Sequence, residues 1–168
     1  MRKLLAVTAL LLLAGCGFQL RGVANLPFNT LYVDGGGNPA LATEISRLIE
    51  TNTQTRLADM PANADAVLQV QGAAREKRIL SLSGAGRVRE YQLLYRVNFR
   101  LFDKQNRDLI ANQPIELWRD MAYDDAMVLA KEQEETLLYR DMENDAIIQL
   151  MRRLAAAKLP PADVKAQR

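Results

Sequence analysis

Histidine is absent from the 168 residues. That removes the commonest general base and imidazole ligand, so neither acid–base catalysis nor a metal centre is expected. Gly35-Gly36-Gly37 is not followed by the lysine of a P-loop, and no nucleophile elbow occurs. Asp124-Asp125 and Glu134-Glu135 are paired carboxylates. Glycosidase acids must face each other across a cleft, and sequence neighbours on a helix do not. These acids are expected to cap and to coat a surface, and no enzyme activity is expected. Cysteine occurs once, at Cys16, which excludes an internal disulfide framework. The most apolar stretch, Leu4 to Leu13, falls short of the roughly 20 residues a membrane-spanning helix needs. Net charge is small, with 22 basic and 20 acidic side chains. Removing Met1 to Gly15 takes Arg2 and Lys3 and no acid, so the basic excess disappears and nucleic acid is not an expected partner.

The amino terminus has the order of a cleaved secretory signal. Arg2 and Lys3 come first, an apolar run follows, and Leu13-Ala14-Gly15-Cys16 closes it. Small residues before a cysteine form the lipobox of a bacterial lipoprotein. The expected mature chain begins at Cys16, which carries an N-acyl group and an S-diacylglycerol and needs no other cofactor. Several acyl chains anchor stably where one would not, at about 0.8 kcal/mol per buried methylene. Gly17 stands where inner-membrane retention in enteric bacteria uses aspartate, which favours the outer membrane. Residues 1–15 are therefore expected as signal peptide, 16–159 as one domain, and 160–168 as a disordered tail. The mature part, roughly 150 residues, suits one core.

Residues 30–33 combine β-branched and aromatic side chains before the Gly35 to Gly37 turn, which predicts a strand. Asn38-Pro39 suits a helix start, and Leu41, Ile45, Leu48 and Ile49 give that helix one apolar face. A second strand is expected after Asp65, where Leu68, Val70, Gly72 and Ala74 alternate with polar residues. Alternation is clearest at Tyr91, Leu93, Tyr95, Val97, Phe99 and Leu101, which predicts a long strand with a buried face. The other face carries Gln92, Leu94, Arg96, Asn98 and Arg100, a polar row with one exposed leucine. Such a row suits the wet lumen of a barrel and equally suits plain solvent.

Ser83 to Gly86 joins the two strands as a hairpin turn, and Asp103 to Arg107 forms the next turn. Residues 109–118 follow as a strand, where Pro114 suggests an edge or a bulge. From about Asp124 the pattern turns helical. Tyr139, Met142, Ala146, Ile147, Leu150 and Leu154 make its apolar stripe, and Pro160-Pro161 stops it. The fold expected is α+β, two helices packed on one face of a four-stranded mixed β-sheet.

Arg75, Lys77, Arg78, Arg87 and Arg89 fall on both arms of the hairpin near its tip, with Glu76 and Glu90 among them. Guanidinium groups bind phosphate oxygens in bidentate fashion. Basic side chains also blunt strand edges, so a solvated strand end remains a reading of the same residues.

Four stretches resemble LptE, the family of outer-membrane lipopolysaccharide-assembly lipoproteins. They are residues 16–22 (CGFQLRG), Glu90 to Tyr95 (EYQLLY), and Leu129 to Glu132 together with Ile147 to Leu154. The resemblance implies a plug inside the LptD β-barrel that helps the barrel assemble and place lipopolysaccharide in the outer leaflet. It also implies lipopolysaccharide binding through one basic residue in the middle hairpin loop and one near the last helix. Lys131 falls on the second position. The first falls close to Gly84, and Arg87 and Arg89 lie a few residues on. The candidate lipid-binding set is therefore Arg87, Arg89, Lys131, Arg78 and Lys77. A free periplasm-facing lipoprotein handling lipid or peptidoglycan is the alternative, and it would need an apolar cavity or a carboxylate cleft.

Overall fold

The computed structural model describes residues 25–159, so the signal peptide, Cys16 and the 160–168 tail expected above lie outside the described residues. Strand β1 spans Thr30–Asp34 and helix α1 spans Pro39–Asn52. Strand β2 is Arg56–Leu57, β3 is Ala66–Leu82, β4 is Val88–Asp103 and β5 is Asp108–Ala122. A single 3-10 turn at Asp125–Met127 leads into helix α2, Val128–Ala156. The sheet order is β2-β1-β3-β4-β5, with β1 parallel to β2 and β3, and antiparallel pairing elsewhere. The sheet thus has five strands rather than the four expected. The extra one, β2, pairs Arg56 with Thr30 and Leu57 with Leu31. Two residues show no periodicity in a sequence, and only the pairing with β1 defines them as a strand.

Local chemistry accounts for the boundaries. The Asn38 side chain accepts from the Leu41 backbone N–H at 3.1 Å, and Pro39 follows at the first helical position. Both hairpins use three-residue loops with a left-handed residue in third place, Gly86 at φ 76° and Asn106 at φ 60°. In the first, Ser83 N–H donates to the Arg87 carbonyl at 2.7 Å. In the second, Asp103 N–H donates to the Arg107 carbonyl at 3.0 Å. The buried Asp103 carboxylate also accepts from the backbone of Gln105 and Arg107 and from the Arg107 guanidinium. Burial pushes its pKa up, but these bonds outweigh burial and hold it below the usual carboxylate range.

Both helices cover one sheet face, and one core runs through them. Leu41, Ile45 and Ile49 of α1 join Leu93, Tyr95, Val97, Phe99 and Leu101 of β4 and the predicted α2 stripe in one cluster. Tyr95 and Phe99 are among the largest fully buried side chains. Burial pushes the Tyr95 phenol up to about 12. On the opposite face Leu94 is 0% exposed, not the exposed leucine its place in a polar row suggested. Its cross-strand neighbours are Glu76 and Trp118, and the Arg78 guanidinium lies 5.7 Å from the Trp118 ring centroid. The long side chains of flanking strands cover this leucine and remove it from water.

At the start of α1 the chain crosses β3 closely. Gly37 N–H donates to the Val70 carbonyl at 3.3 Å, beside the bulge between Val70 and Gly72. A Cβ on Gly37 would collide with the Gln71 carbonyl, so Gly37→Ala should destabilise by about 1–3 kcal/mol in urea unfolding. Tyr95→Ala should cost about 3–5 kcal/mol in the same assay; a near-neutral result would contradict its buried position.

Alkaline titration offers a second check on Tyr95. The unfolded phenol ionises near its ordinary value of 10 and the folded one near 12, so this stabilisation is full below pH 10 and is lost as pH rises through 12. Phenolate absorbance should show a late-ionising phase near pH 12, and Tyr95→Phe should remove it.

Candidate anion-binding hairpin

The β3–β4 hairpin outruns α1, and its distal half carries the basic cluster. Beyond Gln69 no strand pairs with the outer side of β3 among the described residues, so β3 becomes an edge there. Strand parity divides the cations. Arg75 and Lys77 lie opposite Tyr95 and Leu93, on the helix-covered face. Arg78 lies opposite Gln92 on the other face. Arg87 closes the turn and Arg89 follows it on β4.

The partners differ by face. Lys77 Nζ sits 2.5 Å from Glu135 Oε2 and 4.2 Å from the Tyr91 ring centroid. The Arg75 guanidinium is 3.1 Å from Glu143 Oε2 and 5.3 Å from the Tyr139 ring centroid. Both acids belong to α2, and the sequence alone gave no sign that they would meet these cations. On the outer face Arg78 donates to Glu76 at 2.6 Å, and Arg96 bridges Glu76 and Glu116. The Arg78 hydrogen bond, with the charges of Arg78 and Arg96, holds Glu76 below the usual carboxylate range.

Arg87 and Arg89 are exposed, and neither guanidinium has an ion-pair or hydrogen-bond partner among the described residues. They are the free cations of the candidate set. Lys131 lies in the first turn of α2, pairs with Glu134 at 2.8 Å, and is 14% exposed. Its ammonium is thus taken by a carboxylate of its own helix. Gly84, at the turn, has open space around it and an ordinary backbone conformation, so a side chain fits there.

Exposed apolar side chains share this end of the hairpin with the free cations. Ile79 is 58% exposed and Leu82 is 55% exposed on distal β3, with Leu80 between them. Met127, Val128 and Leu129 are also exposed, where α2 begins beside the hairpin. The Tyr123 N–H donates to the Arg89 carbonyl at 2.8 Å and ties that junction to β4. The distal end is thus amphipathic, with unpartnered guanidinium groups among exposed aliphatic chains. That chemistry suits an anion carrying hydrocarbon.

The comparisons with known proteins agree with this fold. The lipopolysaccharide-assembly family LptE matches residues 28–154. The chain belongs to the LptE family. An LPS-assembly lipoprotein LptE from Pectobacterium atrosepticum is 27% identical over 154 residues, 87% of this chain and 80% of that one. The Yersinia pestis (strain Pestoides F) protein of the same name is 28% identical, covering 90% of this chain and 73% of that one. Among solved structures, lipoprotein B from Nitrosomonas europaea superposes with a TM-score of 0.72 at 42% identity, covering 83% of this chain and 91% of that one. The rare lipoprotein B from Shewanella oneidensis gives 0.66 at 25% identity, over 76% and 95% of the two chains.

One bond fixes α2 across the cluster. The Tyr139 hydroxyl donates to the Glu76 backbone carbonyl at 2.7 Å. Burial raises the phenol's pKa, with the Glu135 charge adding to it, so the hydroxyl stays a donor at neutral pH. Tyr139→Phe should cost about 0.5–1.5 kcal/mol in urea unfolding while leaving the far-UV circular dichroism unchanged.

Proposed function

We propose that this LptE-family protein plugs and helps assemble an LptD-type outer-membrane β-barrel, and that it binds lipopolysaccharide at its distal hairpin. The two together insert lipopolysaccharide into the outer leaflet. Family membership supports the role in lipopolysaccharide assembly. The free Arg87 and Arg89 guanidinium groups beside exposed Ile79, Leu80 and Leu82 are the observation that carries the binding part. Lipid A offers compact phosphate anions on an acylated body, and both halves of that chemistry have counterparts at the hairpin tip. Cations without internal partners meet a ligand anion with no ion pair to break first. Lys131, Lys77 and Arg78 each hold an internal carboxylate, so their part in binding is secondary to that of Arg87 and Arg89.

The anchor belongs to the same proposal. Cleavage before Cys16, with diacylglycerol on its thiol and an acyl chain on its amino group, would tether the 16–159 domain to the outer membrane from the periplasmic side. The domain then reaches into the barrel lumen, and residues 160–168 trail as a tail. The outer sheet face suits a wet lumen because its charges are already matched across strands. Arg96 pairs with Glu116, Arg100 with Asp108, and Gln92 with Asp120.

Pull-down from gently solubilised outer membranes should return a large β-barrel at equal stoichiometry. No stoichiometric partner would favour a free lipoprotein. Arg87→Glu with Arg89→Glu should weaken lipopolysaccharide binding at least tenfold with an unchanged Tm. Gly84→Arg should strengthen it, because the position is open and lies in the turn that leads to both cations. Unchanged binding in both variants would assign the tip to a solvated strand end.

A further inference from the structure

The groove between distal β3 and the first half of α2 holds a second pair of cations in a different state. Arg75 and Lys77 stand two residues apart on one strand face, each with aromatic rings behind it. Lys77 Nζ is 4.2 Å from the Tyr91 ring centroid and 5.9 Å from that of Tyr123. Arg75 is 5.3 Å from the Tyr139 ring centroid and 6.0 Å from that of Tyr95. Tyr91 and Tyr95 of β4 hold the cations from the sheet side, and Tyr139 of α2 lies against Arg75 from the helix side. Their outward valences are filled by Glu135 and Glu143 of α2.

The α2 segment that supplies Glu135 is weakly seated. The first buried side chain of α2 is Tyr139, and from Val128 to Leu138 only Leu138 packs against the core, partly buried. Leu129 and Leu137 point to solvent. Beside the ion pairs the groove stays open, with a volume of about 470 Å³ lined by Arg75, Lys77, Glu132, Glu135, Thr136 and Tyr139. Ion pairs this exposed hold little free energy, so a better anion can replace them. A phosphate monoester carries more charge than a carboxylate and three acceptor oxygens, enough to engage both cations at once.

We infer that Arg75 and Lys77 form a second phosphate site, closed in the free protein by Glu135 and Glu143. A phosphate group takes the two cations by exchange with those carboxylates, and the first turns of α2 lift from β3 as it enters. This deepens the lipopolysaccharide reading above and rests on it for the identity of the natural ligand. The tip binds without rearrangement, whereas the groove binds only by opening α2.

The test uses the full-length protein in detergent and inorganic pyrophosphate at constant ionic strength. Glu135→Gln with Glu143→Gln should tighten pyrophosphate binding roughly three- to tenfold, because the internal competitors are gone. Arg75→Gln with Lys77→Gln should abolish the groove's share, and Arg87→Glu with Arg89→Glu should leave it. Hydrogen–deuterium exchange in residues 128–138 should rise when pyrophosphate binds to the wild type. Unchanged or weaker affinity in the glutamine pair of α2, or unchanged exchange, overturns the proposal. Should the β3 double variant fail to fold, the α2 variant and the exchange measurement still decide. Lipopolysaccharide binding without this pyrophosphate pattern would sink the groove alone. The pyrophosphate pattern without lipopolysaccharide binding would keep the groove and sink the ligand's identity.

Discussion

Strand β4 is paired on both sides along nearly its whole length, and this double pairing sets the conditions for everything else. Its 16 residues extend about 53 Å at strand rise, whereas the 14 residues of α1 reach only about 21 Å. One helix cannot cover such a sheet. The proximal half receives both helices and is apolar on its inner face. The distal half receives α2 alone, a single cylinder about 10 Å wide over three strands. Directly beneath it, Leu93 and Tyr95 of β4 are buried. On the flanking strands the inner positions turn charged, with Arg75 and Lys77 on β3 and Arg119 on β5. Each finds an acid of α2, namely Glu143, Glu135 and Asp145. Apolar contact holds the seam, and ion pairs hold its margins.

That arrangement explains which parts of the molecule were legible in the sequence. The alternation in β4, the Asn38-Pro39 start and the α2 stripe are local patterns, and each reports its own buried face. Strand β2 is not local, because it exists through its register with β1. The burial of Leu94 is not local either. Period two assigns it correctly to the outer face, but cross-strand neighbours decide that it is covered. The basic cluster is an intermediate case. Parity separates Arg75 and Lys77 from Arg78, and that much can be read from numbering. The acids that neutralise the inner pair come from a helix some sixty residues away in sequence, and only tertiary structure brings them in.

The division between partnered and free cations carries the functional argument. A cation already paired inside the protein offers a ligand only the difference between two ion pairs, and at exposed positions that difference is small. A free guanidinium offers the whole interaction, less the water it gives up. Charge counting treats Arg78 and Arg89 alike; the pairing does not. Arg78 is committed to Glu76 and Trp118, and its removal would disturb the cover of Leu94. Arg89 is committed to nothing among the described residues, and its removal would disturb only what binds there.

The same logic bears on the loop. The LptE resemblance expects a basic residue close to Gly84, where this chain has glycine at an open, unstrained position. The turn geometry does not demand glycine there, since the left-handed residue is Gly86. Nothing in the fold therefore opposes a basic side chain at Gly84. Arg87 ends the same three-residue loop, bonded through its own carbonyl to Ser83, so its guanidinium springs from the rigid base of the turn. A cation at the base is held in direction by the ladder behind it, whereas one at the apex would swing with the loop. On the proposed reading, moving the charge from apex to base gives up reach and gains orientation, which favours a ligand that presents its phosphates beside the strands.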